Sequence, residues 1–360
     1  MKQTIFITGA AGFVGSNFVQ KAMKAGHDII ALVRSGENEH QGVLRLRGLE
    51  PYGCNLKIEI GNILDEKCIK HIFDNNKIDT VVHLAAKVRA PEAEQELKSL
   101  GKNNSPTMLT NREGTEIVAK IADNHANKIN KTIKFYYTCS SHAFSEDERG
   151  YIDENTNINP LTFYGKTKVE GAEKLNGRKN LSTIIVYPTN HYGIYEKDSF
   201  FIPKIINRAL KGEQIDISNN YQQPVELIHV DRHTEIILSV IEKPPEKNSI
   251  NRYCIEGDVI KTLKDISFDI CKILDKKLRS GEISSSVNSF QNLIVTAGND
   301  KEYEMRKFLP TNGKKITEQF GYPPNPSQYE SNLESTVDHY VKVFKLSQLK
   351  DRKNDWIHRL

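Results

Sequence analysis

Along the first half of the chain, short apolar runs alternate with stretches of helical character. Residues 4–8 (TIFIT), 29–33 (IIALV), 56–60 (LKIEI), 80–84 (TVVHL), 133–138 (IKFYYT) and 183–187 (TIIVY) are β-branched, aromatic or aliphatic runs of strand length. Helix-like segments lie between them at 14–24, 66–74, 113–124 and 164–175. Apolar strands alternating with helices specify a parallel sheet covered on both faces, and six of them make a doubly wound sheet. After Tyr187 the pattern changes. Pro188, Gly193, Pro203, Gly212 and Pro224 interrupt the apolar runs, and helical patterns return at 202–211, 233–242, 263–274 and 333–345. The expectation is an α/β chain with a large sheet domain over 1–187, a smaller mixed α/β substrate domain over 188–350 and a charged tail over 351–360. The segment 225–230 (VELIHV) is expected to return to the large domain as a strand, in a returning stretch that reaches about residue 242.

The turn after the first strand reads Gly9-Ala10-Ala11-Gly12-Phe13-Val14-Gly15. Each glycine has a physical use. Gly9 permits the tight turn, Gly12 lets the backbone approach a pyrophosphate, and Gly15 lets the helix pack close to the sheet. The helix N-terminus then offers N–H groups to the phosphates. Strand, glycine-rich turn and helix together predict a Rossmann-type dinucleotide site. The second strand ends Leu32-Val33-Arg34-Ser35 with no carboxylate to take a ribose 2′-hydroxyl. Arg34 stands there instead, and a guanidinium suits a 2′-phosphate. The expected cofactor is therefore NADP rather than NAD.

Tyr164 and Lys168 are spaced i, i+4, on one face of a helix. Free tyrosine has a pKa near 10, and a neighbouring ammonium favours the phenolate. The pair reads as an acid–base tyrosine with its supporting lysine. The fifth strand ends Thr138-Cys139-Ser140-Ser141-His142, where strand C-termini line a ligand crevice. Ser140 is the candidate for the hydrogen bond to a reacting carbonyl oxygen, with Ser141 as the alternative. His142 is a candidate second acid–base group. Together these residues predict an oxidoreductase acting on a ketone or secondary alcohol.

Composition narrows the partners. The 360 residues are 38% hydrophobic and 27% charged, with a formal net charge of +4. So small an excess argues against nucleic-acid binding. No run approaches the roughly 18 apolar residues of a membrane span, and the start MKQTIFITGAAGF lacks a signal-peptide pattern. Five scattered cysteines form no CxxC pair and no metal-ligand spacing. The expectation is a cytoplasmic protein in a reduced compartment, with no metal and a small-molecule substrate.

Together these motifs resemble the extended short-chain dehydrogenase/reductase family, also called the NAD-dependent epimerase/dehydratase family. The resemblance runs through TGAAGFVG (8–15), GNILD (61–65), HLAAKV (83–88), NREGT (111–115), TCSSHAF (138–144), YGKTK (164–168) and YPTNHYG (187–193). It continues in FIPKIINRALKG (201–212), LIHVDR (227–232) and FGYPP (320–324). It implies that Ser140, Tyr164 and Lys168 are catalytic. It implies that Gly9, Gly12, Phe13, Val14, Arg34, Asn62, Ile63, Leu84, Ala85, Ala86 and Lys87 line the cofactor, with Asn111, Tyr164, Lys168, Tyr187 and Pro188 toward its nicotinamide end. Lys87, Ser140, Ser141, His142 and Asn190 are implied as substrate-facing, Asn190 at a substrate phosphate. Many members act on nucleotide-linked sugars, and family members often form homodimers through two helices, here around 115–124 and 162–175. Two departures stand out. Family dehydratases carry Thr-Asp-Glu where this chain has Ser140-Ser141-His142, and the Arg-Asp that often precedes LIHVDR is absent. The alternative is therefore an NADPH-dependent ketone or aldehyde reductase of a non-sugar molecule, similar to dihydroflavonol reductases or hydroxysteroid dehydrogenases.

Overall fold

The computed structural model of the chain describes residues 2–34, 37–49, 53–145, 147, 149–217, 219–295 and 308–357. Its first half runs β1 (Thr4–Thr8), α1 (Phe13–Lys24), β2 (Asp28–Val33), α2 (Glu37–Arg47), β3 (Leu56–Ile60), α3 (Glu66–Asp74), β4 (Thr80–His83) and α4 (Ala90–Leu100). A short α5 (Pro106–Met108) and a π turn (Leu109–Glu113) lead into α6 (Gly114–Lys128), β5 (Ile133–Thr138), α7 (Phe163–Glu173) and β6 (Leu181–Pro188). There follow β7 (Asn190–Tyr192), α8 (Phe201–Leu210), β8 (Ile215–Asp216), β9 (Pro224–His229), α9 (Val230–Glu242) and β10 (Ser249–Ile255). The last elements are β11 (Val259–Thr262), α10 (Leu263–Arg279), β12 (Ile294–Val295), α11 (Lys314–Phe320) and α12 (Tyr329–Ile357).

These elements form two compact units. The first comprises Met1–Thr189, Asp231–Glu256 and Leu309–Pro323. Its parallel sheet has the order β3-β2-β1-β4-β5-β6-β10, so the strand order reverses between β1 and β4. The period-two alternation of each strand serves two cores. Phe6, Ile30, Leu32, Val81, Phe135 and Tyr137 pack with Ile69, Ile72 and Phe73 of α3 and Val118 of α6. The residues one step along, Ile5, Ile7, Ile29, Ala31 and Val82, are buried as well. Burial on both faces is why these strands read as unbroken apolar runs. The six expected strands are all present, and β10 is a seventh, added parallel to β6 from Ser249↔Ser182 to Ile255↔Pro188. A buried lysine joins β5 to α9. The Nζ of Lys134 donates to the carbonyls of Val240 (2.9 Å), Ile241 (2.9 Å) and Lys243 and so caps the helix C-terminus.

The second unit comprises Asn190–Val230, Gly257–Phe308 and Pro324–Leu360. Its core is built from Ile202, Ile205 and Ile206 of α8, Ile266, Ile270 and Leu274 of α10, and Leu333, Val337 and Tyr340 of α12. Its three-stranded sheet has the order β11-β9-β7. This corrects one expectation. The VELIHV strand does not return to the large sheet: β9 pairs in parallel with β7 and antiparallel with β11. What returns to the first unit is the chain after it, α9 and β10. The expected charged tail is also different, because α12 continues to Ile357 as one helix, with residues 358–360 outside the described set. Among the described residues, no helix is long and apolar enough to cross a membrane, and no group of three His, Cys, Asp or Glu side chains is placed to hold a metal ion.

Candidate active site

The sequence-predicted residues of the first unit gather at the C-terminal ends of its strands, where β1 and β4 part. Gly9 turns the chain with φ +70°, and a Cβ there would lie 2.8 Å from the Ala85 nitrogen. Only glycine lets this turn lie against the strand that ends at His83. Gly15 is equally constrained, since its Cβ would stand 2.1 Å from the Gly9 carbonyl oxygen. Gly12 is exposed and opens α1 with no side-chain cap. An exposed glycine at an uncapped helix start is a cradle that a Cβ would fill, and it fits a dinucleotide pyrophosphate. Arg34 is exposed immediately after β2. Asn62 is exposed, and its side chain accepts from the Leu64 N–H at 3.0 Å. Ile63 is buried against Gly114. Leu84, Ala85 and Ala86 are half-buried.

Two polar clamps fix this edge. His83 is buried, with Nδ1 2.9 Å from the Thr8 hydroxyl and Nε2 3.1 Å from that of Thr115. Thr115 donates to the Asn111 carbonyl, so it accepts from Nε2–H, and Thr8 accepts from the Ala85 N–H. Burial together with Lys168 pushes the ring's pKa down to about 3, so it is neutral. The second clamp is Asn111, in the π turn. Its side chain accepts from the Lys87 N–H and donates to the Lys87 carbonyl and the Thr167 hydroxyl, all at 2.9 Å. All its polar atoms serve the fold, so it pins residue 87 and α7 to one another.

The catalytic candidates meet on α7. Thr162 caps the helix by accepting from the Gly165 N–H at 3.0 Å. Its hydroxyl is 3.3 Å from His142 Nδ1. A Cβ on Gly165 would lie 2.3 Å from the His142 carbonyl oxygen, so this glycine brings the 140s turn against the helix. Ser140 begins that turn and accepts from the His142 N–H at 3.2 Å. Tyr164 is buried, and its ring lies 5.5 Å from that of His142. Ser141 is half-buried beside them. Lys168 is buried, and its Nζ lies 4.5 Å from the centroid of the Tyr137 ring.

The electrostatics differ from the expectation. Lysine was expected to make the tyrosine more acidic. Instead, burial pushes the Tyr164 phenol well above 10, and the Ser140 hydroxyl offsets only part of that. Burial also lowers the Lys168 ammonium to about 8. Both groups are pushed toward their neutral forms because desolvation outweighs their partners.

The remaining candidates fall in other surroundings. Tyr187 is buried against Phe144 at 5.0 Å, and Pro188 ends β6. Asn190 belongs to the second unit, where it donates to the Glu226 carbonyl at 3.2 Å. One contributor had no sequence signal. Glu96 of α4 accepts from Lys87 Nζ at 2.7 Å, from the Ser105 hydroxyl at 2.8 Å and from the Thr107 N–H at 2.8 Å.

Comparison with known proteins adds a family. The NAD dependent epimerase/dehydratase family matches residues 5–255. The chain is 24% identical to a dTDP-glucose 4,6-dehydratase of Shigella flexneri, over 94% of this chain and 92% of that protein. It is 25% identical to the Salmonella typhimurium protein of the same name, with the same coverage. Among solved structures, a UDP-N-acetylglucosamine 4-epimerase of Methanobrevibacter ruminantium M1 superposes with a TM-score of 0.75 at 18% identity, over 95% of this chain and 99% of that one. A dTDP-glucose 4,6-dehydratase of Bacillus anthracis in complex with NAD gives 0.72 at 21%, over 94% and 97%.

The Glu96 clamp has a pH signature. Burial raises its carboxyl pKa, but the hydrogen bonds from Lys87, Ser105 and Thr107 outweigh this and lower it from 4.5 to about 2. A depressed carboxylate contributes stability above its unfolded pKa and loses it as pH falls through the folded one. Glu96→Gln is expected to be less stable at pH 7 by roughly 1–3 kcal/mol, and the gap to wild type should close between about pH 5 and 2. Unfolding midpoints across that range check it; a constant gap removes the ionised clamp.

Proposed function

The chain belongs to the NAD dependent epimerase/dehydratase family, and on that premise we propose that it is an NADP-dependent oxidoreductase or epimerase acting on a keto or hydroxyl group of a nucleotide-linked sugar. Membership makes it a nicotinamide-dependent enzyme of the extended short-chain dehydrogenase/reductase type. The proposed catalytic residues are Ser140, Tyr164 and Lys168. The observation that carries the reading is that Gly165 brings the turn bearing Ser140 against α7, the helix on which buried Tyr164 and Lys168 lie one turn apart.

Gly9, Gly12 and the start of α1 would hold the pyrophosphate, and Lys168 the nicotinamide ribose. The nicotinamide, when bound, supplies or takes the hydride. The chain's own residues handle the proton and the oxygen. Ser140 fixes the substrate oxygen, and Tyr164, protonated at neutral pH because of its burial, gives it a proton. The relatives named as dehydratases suggest a third outcome, water elimination. That reaction needs an acid and a base at the positions held here by Ser141 and His142, which makes dehydration the weaker reading.

Three measurements test this. First, thermal shift against UDP-, GDP-, CDP- and dTDP-sugars and against non-sugar ketones identifies the substrate, since a ligand of the folded state raises the melting temperature. With that substrate, Tyr164→Phe should lose at least about a hundredfold in kcat while cofactor affinity changes little; near-wild-type turnover overturns the assignment. Second, NADPH should bind more tightly than NADH, and Arg34→Ala should cost NADPH about 1.5–3 kcal/mol. A wild type that prefers NADH refutes the 2′-phosphate role. Third, we propose a two-fold homodimer through α6 and α7; light scattering that gives a monomer at micromolar concentration rules it out.

A further inference from the structure

Lys168 is a buried cation in neutral surroundings. The titratable groups around it are Tyr137 on β5, Cys139 just after that strand, His83 on β4 and Tyr164 on α7, with Tyr187 on β6 and the Arg252 guanidinium on β10 near Cys139. Burial pushes the Cys139 thiol up to about 11 and all three phenols upward, while His83 is neutral. No carboxylate stands in this set, so an ammonium here needs some other source of negative potential.

Tyr137 supplies it. The Lys168 Nζ lies over the face of its ring, 4.5 Å from the centroid, where an aromatic quadrupole attracts a cation, most strongly when water is excluded. The same residue holds the lysine's backbone, because the Tyr137 hydroxyl donates to the Lys168 carbonyl at 2.9 Å. Room for that hydroxyl comes from Gly171, where a Cβ would lie 2.6 Å from the Tyr137 oxygen and 2.3 Å from the Asn111 carbonyl. The tyrosine ring is in turn stacked on His83, with centroids 5.9 Å apart and planes 16° apart. Burial keeps His83 neutral, so the imidazole adds no cation beside the ring.

We infer that Tyr137 is a positioning residue for Lys168, its ring seating the ammonium and its hydroxyl holding the lysine's stretch of α7, with His83 as the neutral support behind the ring. The inference rests on the proposed role of Lys168 at the nicotinamide cofactor. It concerns the ring's electrons, which a merely space-filling residue would not need.

The test measures the binding of NADPH and NADH to the full chain between pH 6 and 10, by quenching of protein fluorescence. In the wild type, affinity should fall as pH rises through the Lys168 titration, and Lys168→Met should lack that limb. Tyr137→Phe keeps the ring and should keep the limb in place, with affinity within about threefold of wild type. Tyr137→Leu removes the ring, so the limb should move to lower pH and affinity at pH 7.5 should drop about tenfold. Tyr137→Met, which fills the core with an adaptable side chain, should match the leucine variant and stands in for it if that variant does not fold. A lysine-dependent limb that stays in place in the leucine or methionine variant overturns the inference and leaves the proposed function standing. A Lys168→Met protein that binds both nucleotides as the wild type does overturns the role of Lys168 and the inference with it.

Discussion

Covering both faces of a parallel sheet is the constraint on which the rest depends. A strand buried on both sides has no water to satisfy a polar side chain, so polar chemistry is pushed to the strand ends. All eight residues of β6 are buried. Thr8 is the last residue of β1, His83 the last of β4, and Ser140 lies two beyond β5. Two polar groups that lie inside are held by partners, His83 by two hydroxyls and Asn111 by three hydrogen bonds, whereas the Thr183 hydroxyl within β6 is buried without one. Such networks are stabilising only when every member is satisfied, and this one is closed by the backbone itself through Ala85, Lys87 and Asn111.

The precision of the site comes from contacts that leave no room for a side chain. Gly15 meets the Gly9 carbonyl, Gly165 meets the His142 carbonyl, and Gly171 meets the Asn111 carbonyl. Backbone-to-backbone contact is stiffer than contact through flexible side chains, so the glycine-rich turn, the 140s turn and the π turn are each located by α1 or α7. The YGKTK motif thus has two jobs. Tyr164 and Lys168 are the proposed catalytic pair, and Gly165 brings the turn that carries Ser140 against the helix.

What could be read from the sequence follows from range. The strands β1, β2, β4, β5 and β6 were legible because double burial makes each a largely apolar run of strand length, and β3, at the sheet edge, because its apolar residues alternate with Lys57 and Glu59. The glycine turn and the Tyr164–Lys168 spacing were legible because their logic is local. β10 was not: SINRYCI carries Asn251 and Arg252 and is only half buried over its first four residues, and its pairing with β6 joins segments about 70 residues apart. The fate of VELIHV was hidden for the same reason, since an apolar strand does not announce which sheet it joins. Lys134 lies within the IKFYYT run, and only the fold reveals the three carbonyls it caps. Asn111 could be named but not understood, because its partners at 87 and 167 are brought together by a turn whose π geometry no local pattern signals.

The same burial that hides polar groups sets the chemistry. A tyrosine and a lysine four residues apart suggest a simple exchange, in which the ammonium makes the phenol acidic. Inside this fold desolvation acts on both and in opposite senses. It raises the phenol and lowers the ammonium, so that each moves toward neutrality. The surroundings could have cancelled this with a carboxylate. The clusters here use hydroxyls, a neutral imidazole and an aromatic face instead. A carboxylate at Ser141 or His142 would provide the base that elimination of water requires. On the proposed reading, a site without one suits delivery of a proton to a carbonyl oxygen better than removal of a proton from carbon.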